Sequence, residues 1–138
     1  MSIVQTQTTS FKKELYTAVH NLSTDTIKIA LYTGNADLNE ATTVYSATNE
    51  VSGTGYTAGG QVMTGVAISS SGSVAYANWA NVVWTAALTA RCALIYNASK
   101  GNKSVAVLDF GSDKTSTTTF TITMPANTST TALIRSSN

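Results

Sequence analysis

The sequence predicts a mainly β fold: a β-sandwich or flattened barrel of about seven to eight short strands, with one N-terminal α-helix. Three observations carry this. After a single helical stretch, the apolar period changes from about 3.6 residues to two. Short runs rich in Val, Thr, Ile and aromatic residues then follow one another, separated by Ser, Gly and Asn clusters. The chain has 138 residues and 43% hydrophobic composition, enough for one compact core without disulfides or metal.

The helix is read from Phe11, Leu15, Val19 and Leu22, which form one apolar stripe with Ala18 beside it. Ser10 is the expected N-cap and Asn21 to Asp25 the stop, giving about 11 to 12 residues. His20 falls near the C-terminal end, where it is expected to favour the helix terminus rather than act as a base. The preceding residues 1–9 read as a polar arm, extended or disordered in the isolated protein, and 10–138 as a single β-rich domain.

Alternation of Ile27, Ile29 and Leu31 with Lys28, Ala30 and Tyr32 predicts a half-buried strand over 26–33. From Gly34 to Gly60 the chain is polar and small, with apolar anchors only at Val44-Tyr45 and Val51. A loop of that length in a compact domain is usually functional or carries short strands. Further strands are expected at about 61–69, 73–84, 88–97, 103–110, 118–124 and 130–135, with Pro125 ending its strand. A hairpin around Ala98 to Asn102 would set Ile95 opposite Val105, Ala93 opposite Val107 and Arg91 opposite Asp109. Its other face would pair Cys92 with Leu108 and Leu94 with Ala106. The Arg91–Asp109 pair is expected to fix register rather than to perform chemistry.

Composition narrows the function. Charged residues make up 11% and the formal net charge is +1, whereas Ser and Thr number 40. A nucleic-acid binder would need a basic excess, so no direct nucleic-acid partner is expected. No apolar run reaches the roughly 20 residues needed to span a membrane, and no membrane partner is expected. One histidine and one cysteine, Cys92, leave no Cys/His metal set and no intrachain disulfide. Asp37, Glu40 and Glu50 lack the spacing of a calcium loop. The Gly53 to Gly60 segment has no lysine to complete a phosphate loop. No paired acid–base or nucleophile constellation is visible, so no enzyme and no cofactor are expected. Trp79, Trp84, Tyr76 and Phe110 invite a sugar-binding reading. The odd spacing of the tryptophans in one unbroken strand would put one in the core and one at a surface.

Several segments resemble small structural proteins of tailed bacteriophages. They are the opening Ser10-Phe11-Lys12-Lys13-Glu14-Leu15, the strand Ile27 to Thr33, and above all Tyr45 to Gly60 with its Glu50, Gly53, Gly55, Tyr56, Gly59 and Gly60. Ala90 to Asn97, Lys100-Gly101-Asn102 and Ala106 to Gly111 follow in the same order, so the resemblance runs from about residue 10 to 135. Acids that follow the Tyr-containing strand in such proteins are replaced here by Asn78 and Asn81. The resemblance implies a virion component without enzymatic activity. In size and β content it is similar to capsid decoration (cement) proteins, whose partners are the major capsid protein and copies of themselves. Tail and head–tail connector components are alternatives, as is a receptor- or carbohydrate-binding module. The arm and the 34–60 loop, with Glu50, Gly53, Gly55, Tyr56, Gly59 and Gly60, are the candidate assembly contacts.

Overall fold

The computed structural model describes residues 2–137; Met1 and Asn138, the ends of the arm and of the domain, lie outside the described residues. The fold is mainly β, with one α-helix and antiparallel sheets in a sandwich-like arrangement. The strands are β1 (Thr6–Gln7), β2 (Ile27–Tyr32), β3 (Gln61–Val62), β4 (Ala67–Ser71), β5 (Val74–Asn78), β6 (Val82–Trp84), β7 (Thr89–Asn97), β8 (Lys103–Thr115), β9 (Phe120–Ile122) and β10 (Ile134–Ser136). A five-stranded sheet has the order β1-β8-β7-β2-β3; a three-stranded sheet has β10-β5-β4; β6 and β9 form a pair.

Among the described residues ten strands replace the expected seven or eight because two predicted strands break and the arm adds one. The 61–69 run splits into β3 and β4 at Gly65, which has a positive φ of 67°. The 73–84 run splits at Ala80-Asn81, where Ala80 N–H donates to Thr64 O at 2.8 Å. That break defeats the parity argument: Trp79 and Trp84 are both in the core, 5% and 2% exposed. Within the arm, Thr6 pairs with Val107 and Gln7 with Ala106, and Val4 N–H donates to Leu38 O.

The helix, α1, spans Thr9–Tyr16 and is shorter and earlier than the apolar stripe suggests. Thr8, not Ser10, is the N-cap; its Oγ1 accepts from Phe11 N–H. Ala18, at φ 61°, takes the chain out of helix, so Val19, His20 and Leu22 lie beyond it. Of the stripe, Phe11 alone is fully buried, while Leu15 is exposed. His20 therefore does not serve a helix end. Its ring packs on Phe11, and Nε2 lies 2.8 Å from Glu14 Oε1. The Asn97 amide donates to His20 Nδ1 and to Asp25, which leaves the His20 proton on the side of Glu14.

Two apolar clusters flank the large sheet. Ile27, Ile29, Leu31, Ala93 and Ile95 face the smaller sheets and meet Trp79, Trp84, Phe120 and Ile134. On the opposite face Ala30, Tyr32, Cys92, Leu94, Tyr96 and Val107 are covered by Ala36, Leu38, Ile3 and Tyr45. β2 is thus buried on both sides rather than half-buried, because the 34–60 loop and the arm fold back over it. Ala36 and Leu38 are anchors that the polar character of the loop conceals.

The β7–β8 hairpin keeps the expected register only near its turn, where Tyr96 opposes Ser104. An extra residue, Val105, then shifts the ladder, so that Ile95 faces Ala106, Leu94 faces Val107, Ala93 faces Leu108 and Cys92 faces Asp109. The expected pairs Ile95–Val105, Ala93–Val107, Cys92–Leu108 and Leu94–Ala106 are therefore each off by one. A second irregularity between Ala90 and Cys92 sets Arg91 beside Asp109, and Arg91 Nη1 donates to Asp109 Oδ1.

Candidate functional site

The glycine-tyrosine segment is organised by one carboxylate. Residues 49–51 run along β2: Thr33 N–H donates to Asn49 O and Val51 N–H to Leu31 O, each at 2.9 Å. This pairing aims Glu50 at a cluster of tyrosines. Its Oε1 accepts from the Tyr45 hydroxyl; its Oε2 accepts from the Tyr56 hydroxyl and, at 2.8 Å, from Gly59 N–H. The Tyr56 oxygen also accepts from Leu31 N–H at 2.9 Å. Tyr96 donates to Gly59 O and stacks on Tyr45 at 4.7 Å, while Tyr32 donates to Ser46 O. The segment is fixed to the β2–β7 pair by side-chain hydrogen bonds from both strands.

Two glycines make this approach possible. A Cβ on Gly60 would lie 1.8 Å from Ile29 O, and its φ is 78°. On Gly55, at φ 89°, a Cβ would meet Ala86 Cβ at 2.6 Å. Gly59 is buried against Tyr96 and Lys28, whereas Gly53 has open space around it. Of the six residues singled out in the segment, Glu50, Tyr56, Gly59, Gly60 and Gly55 are packed or bonded within the monomer, and Gly53 O accepts from Tyr56 N–H at 3.2 Å. Gly53 and its neighbours Ser52 and Thr54 face outward.

Burial pushes the tyrosine hydroxyls up. Tyr32 and Tyr56 lie far above the ordinary phenol value, and Tyr45 likewise, with the Glu50 carboxylate adding to the effect. Tyr96 is raised to about 12 by burial and by Glu50. Each hydroxyl remains a donor through the neutral range. Chemically the cluster is a lock: the Glu50 carboxylate accepts three hydrogen bonds, two from tyrosine hydroxyls and one from a backbone N–H. Burial also raises the Cys92 thiol to about 11, which makes it a poor nucleophile.

The remaining singled-out residues are structural in their contacts. The Gly111 N–H and then the Arg91 guanidinium hold the Asp109 carboxyl below its usual range. Asn78 Nδ2 donates to Pro125 O at 2.6 Å, and Asn81 Oδ1 accepts from Met124 N–H at 2.7 Å, so both asparagines tie down the segment after β9. Among the described residues no group of three or more His, Cys, Asp or Glu side chains could hold a metal ion. Nor is any helix among them long and apolar enough to cross a membrane. Trp79, Trp84, Phe120, Tyr32, Tyr56 and Tyr96 are buried and Tyr45, Tyr76 and Phe110 partly so; Tyr16, 91% exposed, stands by itself rather than in a platform.

Two features were missed by sequence reasoning. One is the β4–β5 hairpin, in which every residue of β4 is exposed, Ile68 at 54%. Its signal is Ser70-Ser71-Gly72, which separates the expected strands 61–69 and 73–84 without indicating that the first is exposed. The other is the groove beside β1, to which no local pattern points. No known protein family, curated protein or solved structure matches the chain.

Proposed function

We propose that the chain is a structural component of a tailed-phage virion, and within it a capsid decoration protein that binds and stabilises the head shell. It acts without catalysis or cofactor, its partners are the major capsid protein and copies of itself, and its place is the virion. The motif resemblance from about residue 10 to 135 suggests the class. The observation that carries the reading is β4, a strand exposed at all five residues and therefore on both faces. Such a strand adds nothing to the core of the monomer, so its Ile68 and serines are available to another surface. Val62 in β3 and Val83 in β6 are further exposed apolar side chains, in the other two sheets. Neutral hydrogen-bonding contacts of this kind depend weakly on salt, which suits adhesion over many repeated sites. The outward residues Ser52 to Thr54 offer the same chemistry.

Burial of both tryptophans weighs against a sugar-binding module, which needs an exposed aromatic platform with polar groups beside it. Quantitative mass spectrometry of purified particles tests the proposal. Copies on the order of hundreds per particle are expected for a shell protein; roughly six to a few dozen would move it to the tail or neck.

A further inference from the structure

All three sheets end at the same place. Among the described residues β1 is the edge of the five-stranded sheet, β9 has a strand neighbour only in β6, and β10 only in β5. Residues of these three strands, with the outer side of β8, line a groove of about 1010 Å³. A smaller extension of about 400 Å³ shares Thr6, Gln7 and Arg135 with it and runs on to Leu15 and Tyr16 of α1. The floor includes Leu108, Phe110, Ile122 and Leu133. Small-molecule pockets are typically about 300–1,000 Å³ and enclosed. This groove lies at the upper end of that range and is walled by edge strands, whose outward backbone groups can pair with another chain, apart from Arg135 O and Gln7 O, which accept from Gln7 Nε2 and Thr6 Oγ1.

Its charge is one-sided. Lys12, Lys114 and Arg135 line the two parts, all three are exposed, and among the described residues no acidic side chain lines either part. Among the described residues none of the three has an ion-pair partner. In a chain with a net charge of +1, three unpaired cations around one groove form a local concentration.

We propose that this groove docks an extended, acid-bearing segment of a different polypeptide, which adds as a strand to the exposed edges. Backbone pairing supplies affinity; the apolar floor takes alternate side chains; Lys12, Lys114 and Arg135 select for carboxylates. A second copy of this chain fits poorly. A symmetric contact would bring the same cations together. Most of the chain's own acids are engaged: Glu14 with His20, Asp25 with Lys100, Asp109 with Arg91, Glu50 with the tyrosines and Asp37 with Ser2 N–H. The inference concerns the kind of partner and holds for any location in a particle.

The test is selection from a random library of peptides about nine residues long against the full chain, followed by binding to ¹⁵N-labelled protein. Selected peptides should be acidic, free of internal proline, and should shift the amides of Thr6, Gln7, Thr121 and Arg135. The double variant Lys114→Glu/Arg135→Glu should bind them at least about tenfold more weakly with unchanged thermal stability. N-methylation at alternate peptide residues should abolish binding of the unaltered protein, an arm that needs no variant to fold. The inference is overturned by failure to select any peptide, by neutral or basic winners, or by shifts elsewhere on the protein. Indifference to charge reversal or to N-methylation overturns it too, as does self-association of the chain through this groove in sedimentation.

Discussion

The 50–60 segment and the β4–β5 hairpin are both built mainly from small, uncharged residues, yet the structure uses them in opposite ways. Gly and Thr dominate the first, Ser and Ala the second. The first is fixed onto the sheet by Val51, Tyr56 and the Glu50 hydrogen bonds, and it tolerates no Cβ at Gly60. The second leaves the core at Ala67 and exposes every residue through Ser71. In a chain this poor in charge, polarity does not separate covered from free surface. A few anchors do: one carboxylate and one ring, each reaching a backbone group that would otherwise be unpaired.

The sharpest break of that contrast is Gly60→Ala. The added methyl overlaps Ile29 O in a central strand, so the segment must detach or β2 must move. A loss of about 4 kcal/mol or more is expected in chemical denaturation, enough to leave little folded protein. Gly53→Ala, with open space around it, should cost only about 1 kcal/mol, from backbone strain at φ 145°.

Tyr56→Phe removes a donor to Glu50 and an acceptor for Leu31 N–H while keeping the ring. The expected loss is about 2–3 kcal/mol, since one lost bond involves a charge and the other a buried amide. The same cluster sets the alkaline limit. Tyr32, Tyr45, Tyr56 and Tyr96 have folded values above the ordinary phenol value near 10, so the folded state binds more protons once the unfolded chain begins to lose them. Their stabilisation is fully present below about pH 10 and falls as pH rises toward and through the folded values. Denaturation midpoints should therefore drop steeply above pH 10, with phenolate absorbance from these rings appearing together with unfolding. A midpoint flat up to pH 12 would contradict the buried network.

Arg91→Ala should have a smaller effect, about 0.5–1 kcal/mol by thermal or urea unfolding, because both partners are about a quarter exposed. Ile68→Ser on the hairpin should be the mildest, within about 0.5 kcal/mol of the parent in stability. On the proposed function its effect lies elsewhere, as weaker retention on assembled shells in a sedimentation assay. A stability loss as large as that of Tyr56→Phe would mean that β4 supports the core after all.

Much of the fold was legible in local pattern. The switch from helical to two-residue periodicity, the alternation of 27–31 and the turn at Ala98 to Asn102 each correspond to an observed element. Boundaries were not, and each miss has a cause. The helix ends at Tyr16 because Ala18 adopts a left-handed conformation that its residue type does not announce. The tryptophans share one core because the chain breaks between them at Ala80-Asn81. The hairpin slips by one because Val105 is an extra, buried residue in β8 with no partner in β7. Of the candidate site, Glu50 and Tyr56 stood out in the sequence, but their role was invisible, since Leu31, Tyr45 and Tyr96 reach them from other parts of the chain.

The sequence by itself determined the mainly β class, the single helix near the start and the near-absence of charge, because these follow from periodicity and composition, which are local. Only the tertiary structure decided which polar stretch is locked and which is free, and that three sheet edges meet beside Lys114 and Arg135. Those outcomes depend on pairing between residues far apart in sequence, where a one-residue bulge or a single glycine settles which face turns inward.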